Sequence, residues 1–206
     1  MKPANPHLIP FASFAVWISL TFPAKSSVFQ NSVRVFPTSF PGTNYEIYAA
    51  TQPEFQGAGA GLWLSVDTRR VLRPVTYTVG IGHVWYRVFD GTVIDPAFAG
   101  SATPFANAFT GNLSGQIQMT LGGSFLLGFW LDANGDSIPD TPDRFGWARL
   151  TYTTASGLTL LDNAIEDTGA GIIAGTTTVA PEPSTSLLLT LSLGLSLARR
   201  KKRKWS

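Results

Sequence analysis

His83-Val-Trp-Tyr-Arg-Val-Phe89 is the stretch from which the fold class is read most directly. Val84, Tyr86 and Val88 occupy alternate positions, and alternate side chains of a β-strand point to the same face. The run also concentrates β-branched and aromatic residues, which favour strands. The stretch therefore predicts a β-strand that carries these three side chains on one face.

The same pattern recurs through residues 27–180. Short runs rich in Val, Ile, Thr and aromatic residues are separated by Gly, Pro, Asn and Asp, as expected of a β-sandwich or a barrel. No stretch in this part shows a 3.6-residue apolar period. We therefore expect an all-β, jelly-roll-like β-sandwich. The predicted strands are Val28–Phe36, Tyr45–Ala49, Leu62–Val66, Val75–Val79, His83–Phe89, Gln116–Leu121, Phe125–Leu131, Phe145–Thr153, Leu158–Leu161 and Ile172–Ala174.

Three connecting segments carry expectations of their own. Gly57–Gly61 predicts a flexible connection and not a dinucleotide-binding turn, because its glycines do not lead from a strand into a helix. Ala97–Gly111 is expected to be a long loop of small residues. Asn163–Asp167 is expected to form a single helical turn.

Composition limits the classes of function. The chain of 206 residues suggests one domain plus targeting segments. It contains no cysteine, which excludes disulfides, thiolate metal sites and a Cys nucleophile. The net charge of +2 depends on six basic residues near the C-terminus, outside which nine Lys/Arg face thirteen Asp/Glu. This mildly acidic body argues against nucleic acid as a partner, because phosphate binding needs clustered Arg and Lys.

Residues 181–206 form a three-part segment of a different character. The prolines of Pro181-Glu182-Pro183-Ser184-Thr185 separate it from the body, because they interrupt both helix and central strand. An uncharged run from Leu187 to Ala198 follows, with its leucines at Leu187, Leu188, Leu189, Leu191, Leu193, Leu195 and Leu197. The segment ends in the basic cluster Arg199, Arg200, Lys201, Lys202, Arg203 and Lys204. Basic residues after an apolar helix predict a cytoplasmic end, which places residues before Pro181 outside the cytoplasm.

This order of Pro-Glu-Pro motif, short hydrophobic helix and basic end resembles the PEP-CTERM sorting signal of bacterial envelope proteins. The resemblance implies that Pro181–Thr185 is recognised by an exosortase-type membrane protease, and that the precursor is anchored in the inner membrane before it reaches the cell surface. The alternative is an ordinary C-terminal anchor. The twelve residues from Leu187 to Ala198 span about 18 Å as a helix, against a hydrocarbon core about 30 Å thick. Such a short span suits a temporary anchor better than a permanent one.

Residues 1–26 have the features of a secretory signal peptide. Lys2 supplies a positive charge, Leu8–Phe22 is an uncharged apolar run, and Ala24-Lys25-Ser26 places small residues at the cleavage site. The alternative is a first buried element of the domain. With export, the expected organisation is a signal peptide (1–26), an ectodomain (27–180) and a sorting segment (181–206).

The region from Phe125 to Gly175 carries a second resemblance. Its Gly128-Phe129 step, Phe145-Gly-Trp-Ala-Arg-Leu150 and Gly157–Asp162 are similar to the C-terminal half of many short PEP-CTERM ectodomains, with Phe145 in place of the usual Tyr. The resemblance implies a β-sandwich and brings no enzyme with it. We expect Trp147 to fill the core while Arg149 packs over that face or pairs with an acid; a Trp147 that stacks on sugar is the alternative.

Asp132-Ala-Asn-Gly-Asp-Ser-Ile-Pro-Asp140 is the candidate metal site. Oxygen-bearing side chains at Asp132, Asn134, Asp136 and Asp140, with Gly135 for a sharp reversal, suit a hard cation such as Ca²⁺. The loop resembles the first half of Asp/Asn-rich calcium loops, but it lacks the flanking helices and the closing Glu of an EF-hand. The alternative is an Asn-Gly hairpin turn with solvated acids. No other cofactor is predicted.

Catalytic motifs are absent from the sequence, and no catalytic residue is predicted. His83 is the one histidine outside the signal peptide, and Glu54, Asp67, Asp90 and Asp95 are not distinguished from other acids as glycosidase candidates. The leading interpretation is a non-enzymatic cell-surface or matrix protein, in contact with surface polysaccharide. The alternatives are a lectin-like module that stacks Trp63, Trp85 or Trp130 on sugar rings, and a surface glycosidase.

Overall fold

A computed structural model of the chain describes residues 27–38, 43–53, 58–78 and 80–180. The predicted signal peptide and the predicted sorting segment lie outside these ranges. Antiparallel strands dominate the described part of the chain, with one short helix, so the prediction of an all-β domain is confirmed. The elements are β1 (Val28–Phe29), β2 (Val33–Pro37), β3 (Asn44–Ala50), β4 (Gly59–Val66), β5 (Val71–Thr78), β6 (His83–Val88), β7 (Val93–Ile94), α1 (Pro96–Ser101), β8 (Ala106–Asn107), β9 (Ile117–Gln118), β10 (Ser124–Leu131), β11 (Arg144–Thr153), β12 (Gly157–Glu166) and β13 (Ile172–Ile173).

The strands form two large antiparallel sheets and one small ribbon. The first sheet has the order β1-β12-β11-β10-β6-β8, and the second has the order β2-β3-β4-β5-β9. The ribbon pairs β13 with β7. Side chains of both large sheets contribute to one apolar core, among them Ile47 and Leu62 from the five-stranded sheet and Trp85, Leu127 and Phe129 from the six-stranded sheet.

The central part of the six-stranded sheet is buried on both of its faces. Along β10, Leu127, Phe129 and Leu131 point into the core shared with the five-stranded sheet. Leu126 and Trp130, at the intervening positions, belong to a second apolar core on the opposite face. This explains why β10 is almost continuously apolar, since a strand covered on both sides has no solvent face.

The second core is covered by α1, β7 and β13. Val84, Tyr86 and Val88 of β6 all belong to it, as their alternation predicted. The ring of Tyr86 meets that of Phe98 edge to face at 5.2 Å, and its hydroxyl donates a hydrogen bond to the Ala99 carbonyl. The predicted loop Ala97–Gly111 was therefore wrong at its start, where five residues belong to α1, and at Ala106–Asn107, which form β8.

Asp95 explains why a helix begins here without an amphipathic repeat. Its carboxylate accepts a hydrogen bond of 2.7 Å from the Phe98 amide, and Pro96 follows at the first helical position. Both features favour a helix start.

Two further local predictions were wrong. Asn163–Glu166 continue β12 instead of forming a helical turn, because Ala164 and Ile165 alternate between the two cores. Of the predicted flexible connection Gly57–Gly61, residues Gly59–Gly61 belong to β4, while Gly57 lies outside the described residues. A Cβ on Gly59 would lie 2.3 Å from the Tyr48 hydroxyl, so glycine lets the Tyr48 ring lie against the strand.

The predicted strand Val28–Phe36 is divided into β1 and β2, which belong to different sheets. Asn31 has a positive φ of 61° at the division. The buried Asn163 side chain accepts hydrogen bonds from the Ser32 and Val33 amides at 3.1 and 3.3 Å. The crossing between sheets is thus held by an amide from the neighbouring strand, which a local sequence pattern does not reveal.

Gly146 offers a test of this packing. A Cβ at this position would lie 2.3 Å from the Phe129 ring and 2.7 Å from the Ala164 carbonyl oxygen, so we expect Gly146→Ala to destabilise the domain by about 1–3 kcal/mol. The measurement is denaturant unfolding of the purified protein. The matched control is Gly100→Ala in α1, where the nearest atom is 4.0 Å away. Equal stability of the Gly146→Ala variant and the wild type would contradict the packing described here.

Candidate functional site

The predicted calcium ligands lie in the loop that joins β10 to β11. Asp132 is buried, and its two carboxylate oxygens accept hydrogen bonds from the Gly135 and Ser137 amides at 2.6 and 3.0 Å. Gly135 has a φ of 82°, which a glycine adopts without strain. The first half of the loop is therefore a tight turn built around the Asp132 side chain.

Asp143 closes the other end of this loop. Its carboxylate is fully buried and accepts hydrogen bonds from the Trp130 indole at 2.6 Å, the Ala133 amide at 2.9 Å and the Asp140 amide at 3.2 Å. Burial raises the pKa of Asp143 above the ordinary range of an aspartate, although these hydrogen bonds oppose the shift. The loop lacks the closing glutamate of an EF-hand, and Asp143 instead organises it through hydrogen bonds.

The remaining predicted ligands also bond within the loop. The Asn134 side-chain amide donates to the carboxylates of Asp136 and Asp140 at 3.1 and 3.2 Å, and the Asp136 carboxylate accepts from the Ile138 amide at 2.8 Å. Within the described ranges, no group of three or more His, Asp or Glu side chains is placed to hold a metal ion. The loop is thus a hydrogen-bonded turn in this structure, and the calcium site stays a prediction.

The tryptophans proposed to stack on sugar are divided by the fold. Trp85 and Trp130 are buried, and Trp147 is 1% exposed, with its indole donating to the Thr176 carbonyl at 2.8 Å. The expected core position of Trp147 is therefore confirmed. Trp63 is 38% exposed on the outer face of the five-stranded sheet. Trp63, Trp85, Trp130 and Trp147 thus form no shared stacking face.

Three of the four acids considered as glycosidase candidates lie in the described ranges, and each is bonded to a neighbouring group of the fold. Asp67 accepts hydrogen bonds from the Arg69 and Val71 amides, each at 2.9 Å, and these bonds lower its pKa. Asp95 caps α1. Asp90 pairs with Arg149. Glu54 lies outside the described residues.

The Arg149–Asp90 pair belongs to a shallow pocket at one end of the six-stranded sheet. The two side chains form a two-point ion pair, with N–O distances of 2.6 and 3.3 Å, which holds the pKa of Asp90 low. The Arg149 guanidinium also lies 5.9 Å from the centre of the Trp147 ring. The prediction that Arg149 pairs with an acid or covers the Trp147 face is confirmed.

The sequence did not identify this pocket, because its parts come from β6, β10, β11 and the turn after β6. One local signal was available. His83, Trp85, Arg87 and Phe89 occupy alternate positions, and a charged residue on a face that begins with buried rings marks the point where that face meets solvent.

His83 is buried on β6, and no side chain in the described ranges forms a hydrogen bond with its imidazole. Its Nδ1 lies 2.9 Å from the Ile81 carbonyl oxygen and its Nε2 has no hydrogen-bond partner among the described residues. The Tyr77 ring meets the imidazole edge to face at 5.5 Å. Burial lowers the pKa of His83, because a proton on Nε2 would place a positive charge in an apolar site.

No helix in the described part of the chain is both long and apolar enough to cross a membrane.

Comparison of the chain with protein-family models, with curated protein sequences and with solved structures found no match.

The structure predicts how the calcium loop responds to chelation. Because every predicted ligand already has hydrogen bonds inside the loop, we expect the same melting temperature in millimolar calcium and in excess chelator. A ligand bound only by the folded state at a hundred times its Kd would add about 2.7 kcal/mol. Loss of thermal stability on chelation, absent in Asp136→Asn, would contradict this expectation and establish the calcium site.

The burial of His83 predicts a pH dependence of stability. The unfolded chain takes up a proton near the ordinary pKa of about 6.5, above the lowered pKa of the folded state. Stability should therefore fall as pH drops below about 6.5, by up to about 1.4 kcal/mol per pH unit, until the folded pKa is reached. Denaturant unfolding at about pH 7.5 and 5.5 measures the loss. His83→Gln is the control, and its stability should change less over this interval; an equal change in both proteins would assign the effect to other groups.

Proposed function

We propose that this protein is an exported, non-enzymatic component of a bacterial cell surface or extracellular matrix, sorted at the inner membrane through residues 181–206. The N-terminal segment 1–26 acts as the signal peptide. The precursor stays anchored by the short apolar run until an exosortase-type membrane protease processes it. The body then remains outside the cell, in contact with surface polysaccharide.

The observation that carries this proposal is the order of the C-terminal segment. Pro181-Glu182-Pro183 interrupts regular structure, the run from Leu187 to Ala198 contains no charge, and six basic residues follow at once. A helix about 18 Å long spans little more than half of a hydrocarbon core of about 30 Å. Such a segment favours temporary insertion followed by cleavage over a permanent anchor.

The way in which the body ends supports a separable tail. Val179 bridges to Ile172, and the Ala180 amide donates a hydrogen bond of 2.9 Å to the Gly171 carbonyl. Ala180 is also buried. The chain is therefore tied into the β-structure up to the residue before Pro181, and cleavage after that point would break none of these contacts.

For the body we propose a jelly-roll-like β-sandwich with an added layer. Two antiparallel sheets share a core of buried side chains, which supports the sandwich. The additional cover of α1, β7 and β13 lies on the outer face of the six-stranded sheet. A non-enzymatic role is supported by the structural tasks of Asp67, Asp90 and Asp95 described above.

Replacement of Pro181, Glu182 and Pro183 by alanine tests the sorting function. We expect this triple variant to remain in the inner membrane with its C-terminal segment uncleaved, because the protease loses its recognition motif. Intact-mass measurement of membrane and surface fractions from the native host reads both location and cleavage. The wild type should lack residues before about 27 and the basic C-terminal cluster.

The matched control is Thr177→Ala, an exposed residue four positions before the motif. It should be processed like the wild type. Normal maturation of the triple variant would reject the sorting proposal, and a full-length mass for the wild type would indicate a plain membrane-anchored protein.

A further inference from the structure

The turn after β6 presents an aromatic ring to solvent. Phe89 is 67% exposed, although its backbone is held by hydrogen bonds from the Thr92 amide to the Phe89 carbonyl and from the Phe89 amide to the Thr92 hydroxyl. Gly91 makes the reversal with a φ of 82°, and its amide donates to the Ala174 carbonyl. The ring is thus displayed to solvent by an ordered turn.

Arg87 lies beside this ring and is exposed. Its guanidinium carbon is 5.5 Å from the centre of the Phe89 ring. Within the described ranges Arg87 has no ion-pair partner. A guanidinium with no carboxylate partner is a ready donor for an anion, because its planar fork of N–H groups matches the oxygens of a carboxylate or a sulfate.

Asp90, three residues after Arg87, supplies a negatively charged hydrogen-bond acceptor. Arg149 holds its carboxylate at two points, and Gly175 leaves the space that the pair occupies, since a Cβ there would lie 2.1 Å from an Asp90 oxygen. The Asp90 side chain is nevertheless 68% exposed. Asp90 is therefore a fixed, ionised acceptor for hydroxyl donors from solvent or from a ligand.

These groups line one pocket of about 140 Å³, together with Ser124 and Phe125. This volume is below the roughly 300 Å³ at which sites for drug-sized ligands begin. The pocket therefore fits a single ring or one substituent of a longer molecule that continues across the open surface.

We propose that this pocket binds an anionic sugar residue within an acidic polysaccharide. Such a residue has an apolar ring face for Phe89, a carboxylate or sulfate for Arg87, and hydroxyl donors for Asp90 and Ser124. An inorganic anion would leave the Phe89 ring without a contact. An acidic peptide lacks the several hydroxyl donors that a sugar ring offers to Asp90 and Ser124. The inference rests on the proposed function in one respect only, that an exported domain meets such polymers.

Binding of the purified full-length protein, kept in mild detergent, to defined polymers tests the proposal. The probes are a polyuronate, a sulfated dextran and neutral dextran, compared by affinity electrophoresis at low salt. We expect binding to at least one acidic polymer and weaker or no binding to neutral dextran. Arg87→Gln and Phe89→Ala should each weaken acidic-polymer binding by about tenfold or more, because each removes a direct contact.

Two matched controls locate the site. Arg73→Gln removes the same charge from the five-stranded sheet, and Trp63→Ala removes an exposed ring from that sheet; both should bind like the wild type. Melting curves check that all four variants remain folded, and Arg87→Lys, which keeps the charge, should recover part of the binding. A stronger response to the polyuronate or to the sulfated dextran supports the proposal and identifies the anion.

Other outcomes overturn the inference. Equal binding of neutral and acidic polymers removes the role of Arg87, and equal loss in Arg73→Gln and Arg87→Gln indicates non-specific charge attraction. Loss only in Trp63→Ala would move the site to the other sheet, and absence of binding to every probe would also reject the pocket. Failure of the sorting proposal is read separately, from the intact mass, because an unprocessed protein would still carry this pocket.

Discussion

The six-stranded sheet must bury both of its faces, and the rest of the structure follows from this constraint. Its central strands β10 and β11 are apolar on each side, so one covering layer is not enough. The five-stranded sheet covers one face, and α1 with the β7–β13 ribbon covers the other. Trp147 shows the consequence, since its ring lies in the second core and its indole N–H bonds to the Thr176 carbonyl of the covering segment.

Burial of both faces also explains why several Asp, Glu and Asn side chains accept hydrogen bonds from backbone N–H groups of the loops. A loop pressed against a core must satisfy its backbone N–H groups without water. The buried carboxylate of Glu166 accepts from the amides of Thr168, Gly169 and Gly171, and Asp143 does the same for the loop after β10. Asn163 performs this task where the chain passes from one sheet to the other. Acidic residues that read as candidate ligands or catalysts are largely used in this way.

At one end of the six-stranded sheet, by contrast, side chains are left exposed to solvent. There Phe89 stays exposed on an ordered turn and Arg87 keeps no acidic partner within the described ranges, while Asp90 is fixed by Arg149 and still faces solvent. An aromatic ring, a cation and an acceptor thus meet at the solvent-facing edge of the two cores. The proposed destination of the protein and the proposed ligand of this pocket are tested separately, because one depends on the C-terminal segment and the other on the folded body.

The sequence by itself determined the features that depend on neighbouring residues. The alternation from His83 to Val88 predicted the strand and its shared face, because side-chain direction in a strand follows position alone. Short runs rich in β-branched and aromatic residues likewise predicted strands at β10 and β11. The three-part pattern of residues 181–206 is also a matter of local composition, and the sorting role inferred from it stays a proposal. The tertiary structure alone decided that Trp85 and Trp130 are buried while Trp63 is exposed, and that Asn163 continues a strand. It also joined Asp90 to Arg149 across 59 positions of sequence. These outcomes depend on which layer covers which face, and that choice is made by long-range packing.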